Sequence, residues 1–255
     1  MEDASVRDVA DEPGPVRMRV DDRGRATITL RSPATRNALS EELLAGLAMC
    51  LRTAESRDDV RVVVLDAEGP AFCAGADLRS TGGRMDGIVA GIVTAQALIA
   101  GGGKPVVARV HGAVRAGGIG LVAACDIVVA ADDAHFALTE ARLGLAPAVI
   151  SLTILPRMAP RAASELMLTG RRFGAAEARA CGLVGHLAPA DDVDAAVDGI
   201  VADLLLAEPQ GLRETKRVLN RDLVARISTE GPEMVRLSAA LFDTDVVRAA
   251  TASFR

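Results

Sequence analysis

Three short apolar runs frame what this chain can fold into: Val60–Leu65, Val106–Val110 and Asp126–Ala131. They are rich in β-branched residues and do not alternate with polar ones. That marks strands covered on both faces, as in parallel sheets flanked by helices. Helical spacing lies between and around them. Ser40 is placed to cap a helix, with Glu41 and Glu42 in the first turn, where the helix dipole favours acids. Leu43, Leu44, Leu47, Cys50 and Leu51 then share one face. Ile88–Ala100 reads as a second helix, stopped by Gly101-Gly102-Gly103, and a glycine-rich turn leads into a short one, Ile119–Ala124. Upstream, Val16–Val20 and Ala26–Arg31 read as a hairpin turned at Asp21-Asp22-Arg23-Gly24. Beyond about residue 160 the strand signal fades. Ala175–Ala180, Val193–Leu206 and Leu212–Ile227 have helical spacing. The pattern predicts an α/β fold of stacked β-β-α units: a tail over 1–14, a core over 15–190 and a helical region over 191–255.

Composition narrows the function. With 255 residues, half of them hydrophobic, and a net charge of −5, the chain can bury a sizeable core. The 29 basic residues are scattered, and five Phe with no Tyr or Trp are poor material for stacking bases, so no nucleic-acid partner is expected. No apolar run approaches the roughly 20 residues of a membrane span. Met1-Glu2-Asp3-Ala4-Ser5 does not look like a signal peptide, so a cytoplasmic protein with reduced thiols is expected. Cys50, Cys73, Cys125 and Cys181 read as small buried residues, and His111, His135 and His186 lack ligand spacing, so no metal is expected.

Two loops and one acid carry the chemistry. Ala71-Phe72-Cys73-Ala74-Gly75-Ala76-Asp77-Leu78 follows the first buried strand. His111 to Gly120 follows the second and opens a helix. Small residues let a ligand approach the backbone, and a helix start offers free N–H groups. Two such loops side by side can aim two donors at one oxygen, an oxyanion hole. The plainer alternative is two tight turns, and spacing leaves both open. Glu140 is the one acid in Phe136-Ala137-Leu138-Thr139-Glu140, just after the third strand. A carboxyl there can serve as general acid or base, or simply pair with Arg142.

The same residues, taken in order, resemble a known family. Arg31-Ser32-Pro33-Ala34-Thr35-Arg36-Asn37-Ala38-Leu39, then Ala71 to Asp77, Lys104 to Gly112 and Gly117-Gly118 match landmarks of the crotonase superfamily, the enoyl-CoA hydratase/isomerase family. Ala124-Cys125-Asp126-Ile127, Phe136 to Glu140, Leu143 to Pro147, Leu168-Thr169-Gly170 and Gly182-Leu183-Val184 continue the match. The resemblance implies a spiral of β-β-α turns with a C-terminal helical trimerisation region, and homotrimers or hexamers. It implies an acyl-CoA thioester as substrate, with coenzyme A as part of that substrate and no separate cofactor. The thioester oxygen would be held by the N–H groups of Ala76 and Gly117, with Glu140 as acid/base. Ala74 would meet the adenine through its backbone, and Arg36 and Arg79 the CoA phosphates. Ala38, Asp77, Leu78 and Gly118 complete the substrate-binding set, although Asp77 and Asp126 also read as structural, pairing or capping nearby backbone. The acyl pocket would be lined from 79–100, 140–155 and the C-terminal helices.

One departure matters. Well-studied hydratases of the family carry a second glutamate three residues past the oxyanion glycine, and that position here is Gly120; the first glycine of the usual triplet is Ala116. Bacterial hydratases resembling the methylglutaconyl-CoA type often have glycine there and share a stretch that appears here as Leu143 to Ser151. The expected activity is therefore enoyl-CoA hydration with one glutamate. The alternatives are Δ3,Δ2-enoyl-CoA isomerisation and non-catalytic acyl-CoA binding. Arg115 is a conceivable second holder of the water, or a surface arginine.

Overall fold

The computed structural model describes residues 7–8, 14–78 and 85–252. In chain order it begins with β1 (Arg7–Asp8), β2 (Val16–Val20), β3 (Arg25–Leu30), α1 (Glu41–Ser56), β4 (Val62–Ala67), β5 (Ala71–Cys73) and α2 (Asp86–Gly101). Next come β6 (Val106–Val110), β7 (Ala113–Arg115), α3 (Gly117–Ala124), β8 (Ile127–Ala131) and β9 (His135–Ala137). The remainder is α4 (Ala148–Arg157), α5 (Pro160–Thr169), β10 (Arg172–Gly174), α6 (Ala175–Ala180) and β11 (His186–Ala188). Four helices close the chain: α7 (Val193–Leu206), α8 (Pro209–Leu219), α9 (Arg221–Phe242) and α10 (Asp245–Thr251).

Successive units share their strands between two sheets. One sheet has the order β1-β2-β3-β4-β6-β8-β11, the other β10-β9-β7-β5. β4, β6 and β8 pair in parallel in the first, and β5, β7 and β9 in parallel in the second. Each β-β-α turn thus places one strand in each sheet and returns through a helix. Stacking the turns makes a spiral, the α/β architecture that the sequence predicts. The apolar runs are its inner strands: β4 is buried at every position but Asp66, and β6 at every position but Arg109. Ser40 caps α1 by accepting from the Leu43 N–H at 3.1 Å, and the predicted leucine face is buried. A buried leucine is worth about 1.5–3 kcal/mol.

Three features differ from the sequence reading. Two strands lie beyond residue 160. β10 and β11 are three residues each, and β10 buries only Phe173, which stacks on Phe136 of β9 with ring centroids 5.5 Å apart. Strands that short are held by pairing and carry no apolar run of their own. The helix expected over Leu212–Ile227 is two helices, broken at the buried Asn220. Its side-chain NH2 donates to Ala100 O at 3.1 Å and to Asp126 Oδ1 at 2.8 Å, and this docks the C-terminal helices onto the spiral. Asp126 also accepts from the Val106 N–H and pairs with the buried Lys216 at 2.8 Å, the structural role expected of it. Finally, α3 starts at Gly117, two residues before the expected start. Of the tail, Arg7–Asp8 pairs antiparallel with β2.

Candidate active site

The first donor comes from the loop after β5. Gly75 adopts φ 91°, a left-handed conformation that glycine takes without strain. The next residue, Ala76, forms a parallel bridge with Leu39. Leu39 uses both its backbone groups there, donating to Gly75 O at 2.7 Å and accepting from the Asp77 N–H at 3.1 Å. The N–H of Ala76 therefore turns away from Leu39. Asn37 fixes this loop from within. It is fully buried, donates to Glu68 O and Ala71 O at 2.8 and 2.9 Å, and accepts from the Ser32 N–H at 2.7 Å.

The second donor is Gly117, the first residue of α3, whose N–H has no intrahelical acceptor. Ala116 before it has φ 44° and ψ −117°, a conformation costly for any residue but glycine. That turn swings the helix start toward the Ala76 loop. Ala76 and Gly117 line one inner cavity of about 100 Å³.

Glu140 lines the same cavity. β9 delivers it into a 3-10 turn, Glu140–Leu143, which Gly144 closes at φ 77°. Its own carbonyl accepts from the Leu145 N–H at 2.9 Å, so the backbone is pinned. The residue is 9% exposed, and its side-chain Oε2 has no hydrogen-bond partner among the described residues. Burial pushes the carboxyl up to about 7, against a smaller opposing pull from its own backbone N–H. The alternative pairing with Arg142 is not made: the Arg142 guanidinium donates to Thr169 O at 2.7 Å instead. Glu140 is the one ionisable residue among the described residues lining this cavity; Val89, Ile92, Val149, Ile150 and Phe242 make most of the rest apolar. The acyl-pocket segments named from the sequence thus contribute, except 79–84, which lies outside the described residues. A carboxyl that titrates near neutrality can both accept and return a proton. Two N–H donors beside it can stabilise charge developing on an oxygen.

An outer cavity of about 660 Å³ adjoins the inner one and shares Ala74, Ala76, Leu78, Thr139 and Leu143 with it. Arg36, Ala38 and Asp77 line the outer cavity, together with Arg115 and Arg142. The Ala74 N–H is already committed to Arg36 O at 3.0 Å, which leaves its carbonyl for a ligand. Arg115 stands on this outer side, donating to His135 O at 2.8 Å, and not among the residues lining the inner cavity. Gly118 lines neither cavity; a Cβ there would lie 2.6 Å from the Cys73 Cβ. Arg79 lies outside the described residues. All four cysteines are buried and free, and burial pushes the Cys73 thiol up to about 12. Among the described residues no cluster of His, Cys, Asp or Glu is arranged to hold a metal, and no helix is long and apolar enough to cross a membrane.

Residues 22–255 match the family model described as enoyl-CoA hydratase/isomerase. The chain belongs to this family. It is 37% identical over 180 residues to the enoyl-CoA hydratase EchA19 of Mycobacterium tuberculosis, a match spanning 67% of each chain. The crystal structure of an enoyl-CoA hydratase from Mycobacterium avium superposes with a TM-score of 0.87 at 40% identity, over 95% of this chain and 96% of that one. A Mycobacterium smegmatis enoyl-CoA hydratase structure gives 0.79 at 29% identity, over 95% and 96%. The spiral with its helical C-terminal region is thus the crotonase fold.

Within this crotonase-fold chain, Gly120 is packed shut. A Cβ on it would lie 2.6 Å from Gln96 Nε2 and 2.7 Å from Ile150 Cγ2, so no side chain fits while those groups stay. Gln96 is fully buried, and neither amide atom has a partner among the described residues. Sequence reasoning singled out Gly120 and missed Gln96. The available signal was one polar residue on the otherwise apolar face of Ile88–Ala100. Arg142 as a wall of the outer cavity was missed too, having been considered only as a partner for Glu140.

Proposed function

We propose that this chain adds water across the 2,3 double bond of an enoyl-CoA thioester, using a backbone oxyanion hole and one glutamate. The supporting observation is that Glu140, a buried carboxyl pushed up to about 7, shares an apolar cavity with Ala76 and Gly117. The CoA portion would lie along the outer cavity, with Arg36 toward its phosphates and the Ala74 carbonyl toward the adenine amine. The thioester oxygen accepts from the Ala76 and Gly117 N–H groups. The water oxygen bonds to C3 while the double-bond electrons move toward the thioester oxygen. Glu140 takes a proton from the water and delivers it to C2, and the carbonyl re-forms. Each donor is worth roughly 2.7–4 kcal/mol in the transition state.

A second reading has its own support. Among the described residues Glu140 stands without a second carboxylate on the lining of the inner cavity, and one carboxylate suffices to move a proton between C2 and C4 of a 3-enoyl-CoA. The test is mass spectrometry of 2-enoyl- and 3-enoyl-CoA panels after incubation with the protein, with Glu140→Gln as control. A gain of one water that vanishes in the variant supports hydration. A new retention time at unchanged mass supports isomerisation. No change with short, long or branched acyl groups would replace both with acyl-CoA binding without turnover.

We also propose assembly into a homotrimer or a pair of trimers. Leu206, Val218 and Leu219 on α7 and α8 are 86%, 71% and 73% exposed, which suits an interface between copies. The solution mass of the purified protein tests it.

A further inference from the structure

Gln96 is a buried polar group that the mechanism above does not use. Its amide has one acceptor and two donors, all shut away from solvent and unpaired among the described residues. Buried side-chain polar atoms are nearly always satisfied, by protein or by bound water or ligand. Among the described residues the comparable orphans are the Nε atoms of Arg17, Arg31, Arg61 and Arg226, and Glu140 Oε2. Of these, only the Glu140 oxygen belongs to this site.

The amide's position is informative. Gln96 follows Ile92 by one turn of α2, and Ile92 lines the inner cavity. Its Nε2 lies 2.6 Å from where a Gly120 Cβ would be, and the cavity wall residue Ile150 closes on the same point at 2.7 Å. Gly120 is three residues along α3 from Gly117, a rise of about 4.5 Å. The amide thus stands within one turn of α3 of Gly117, the proposed oxyanion donor. It stands behind the wall residues Ile92 and Ile150 and does not itself line the cavity, so a partner for it must be small enough to sit between them. A bound water needs two to four polar partners.

We propose that Gln96 holds the reacting water, resting on the hydratase reading of the site. Its Oε1 accepts the hydrogen that stays on the water oxygen and becomes part of the product hydroxyl. The other hydrogen passes to Glu140 and then to C2, and the oxygen bonds to C3. Gln96 exchanges no proton. The missing side chain at Gly120 is what gives the amide its room.

The test compares two rates in the full-length protein. One is hydration of a 2-enoyl-CoA. The other is incorporation of solvent deuterium at C2 of a saturated acyl-CoA, which needs Glu140 and the two N–H groups but no attacking water. Gln96→Met fills similar volume and leaves no unpaired polar atom, so it is expected to fold. It should lower kcat for hydration at least tenfold, with KM and the exchange rate within twofold of wild type. Gln96→Glu restores an acceptor oxygen and should recover part of the hydration rate. Wild-type hydration in Gln96→Met would overturn the proposal and leave the hydratase reading standing. Equal loss of hydration and exchange would also overturn it, by showing a merely structural role. A wild-type protein that hydrates nothing would overturn the hydratase reading, and this proposal with it.

Discussion

Removing the charge from Glu140 should stabilise the protein at alkaline pH and leave it unchanged in acid. Burial raises the carboxyl from 4.5 to about 7 in the folded chain. The unfolded chain therefore ionises first as pH rises. Between those two values the folded state binds more protons than the unfolded one, so stability falls as pH increases. Below 4.5 both states are protonated and there is no penalty; above about 7 the penalty is complete. At about 1.4 kcal/mol per pH unit, the interval corresponds to about 3 kcal/mol. Glu140→Gln keeps the shape and removes the ionisation. Urea denaturation of both proteins should give coincident midpoints near pH 4.5 and a variant more stable by about 2–3 kcal/mol near pH 8.5, while turnover falls by at least about 10²-fold. A stability difference of the same size at both pH values would refute the reasoning, because the gain would then come from packing and not from charge. The site's base is thus expected to lower fold stability at the pH where it works.

Three further outcomes are expected. Ala76→Pro removes a proposed oxyanion donor yet spares the Leu39 bridge, whose bonds run through Gly75 O and the Asp77 N–H; kcat should drop about 10²–10³-fold with little change in the thermal midpoint. Ala116→Gly relieves the strain at φ 44° and should raise stability by about 1 kcal/mol after the added unfolded-chain entropy is subtracted, read as a higher Tm. Gly120→Ala drives a methyl into Gln96 and Ile150 and should cost about 1–3 kcal/mol in urea denaturation; with Gln96→Ala the cost should shrink, so strict additivity in the double-mutant cycle would contradict the packing described.

Most of the spiral was legible because its inner strands are continuous apolar runs. Val62–Ala67, Val106–Val110 and Ile127–Ala131 lie within two residues of where their sequences place them. The strands that escaped, Arg172–Gly174 and His186–Ala188, are the ones whose conformation is imposed by neighbours. Arg172 pairs with Ala137 and His186 with Val129, partners more than thirty and fifty positions away, so no local pattern announces them. The helix break at Asn220 is of the same kind. Its cause is a hydrogen bond to Asp126, ninety-four residues earlier.

The same distinction runs through the site. Glu140 was legible as the lone acid in an apolar stretch, but whether it pairs with Arg142 is a matter of where Thr169 sits, and that carbonyl takes the guanidinium. The loop glycines were legible as places where backbone is exposed to a ligand. That the Ala76 N–H turns away from Leu39 was not, because it follows from Leu39 spending both of its own groups on Gly75 and Asp77. Gly120 is the sharpest case. Read along the chain it is a carboxylate that is missing. Read in three dimensions it is a contact, the one place on α3 where Gln96 and Ile150 both come closer than any side chain would allow.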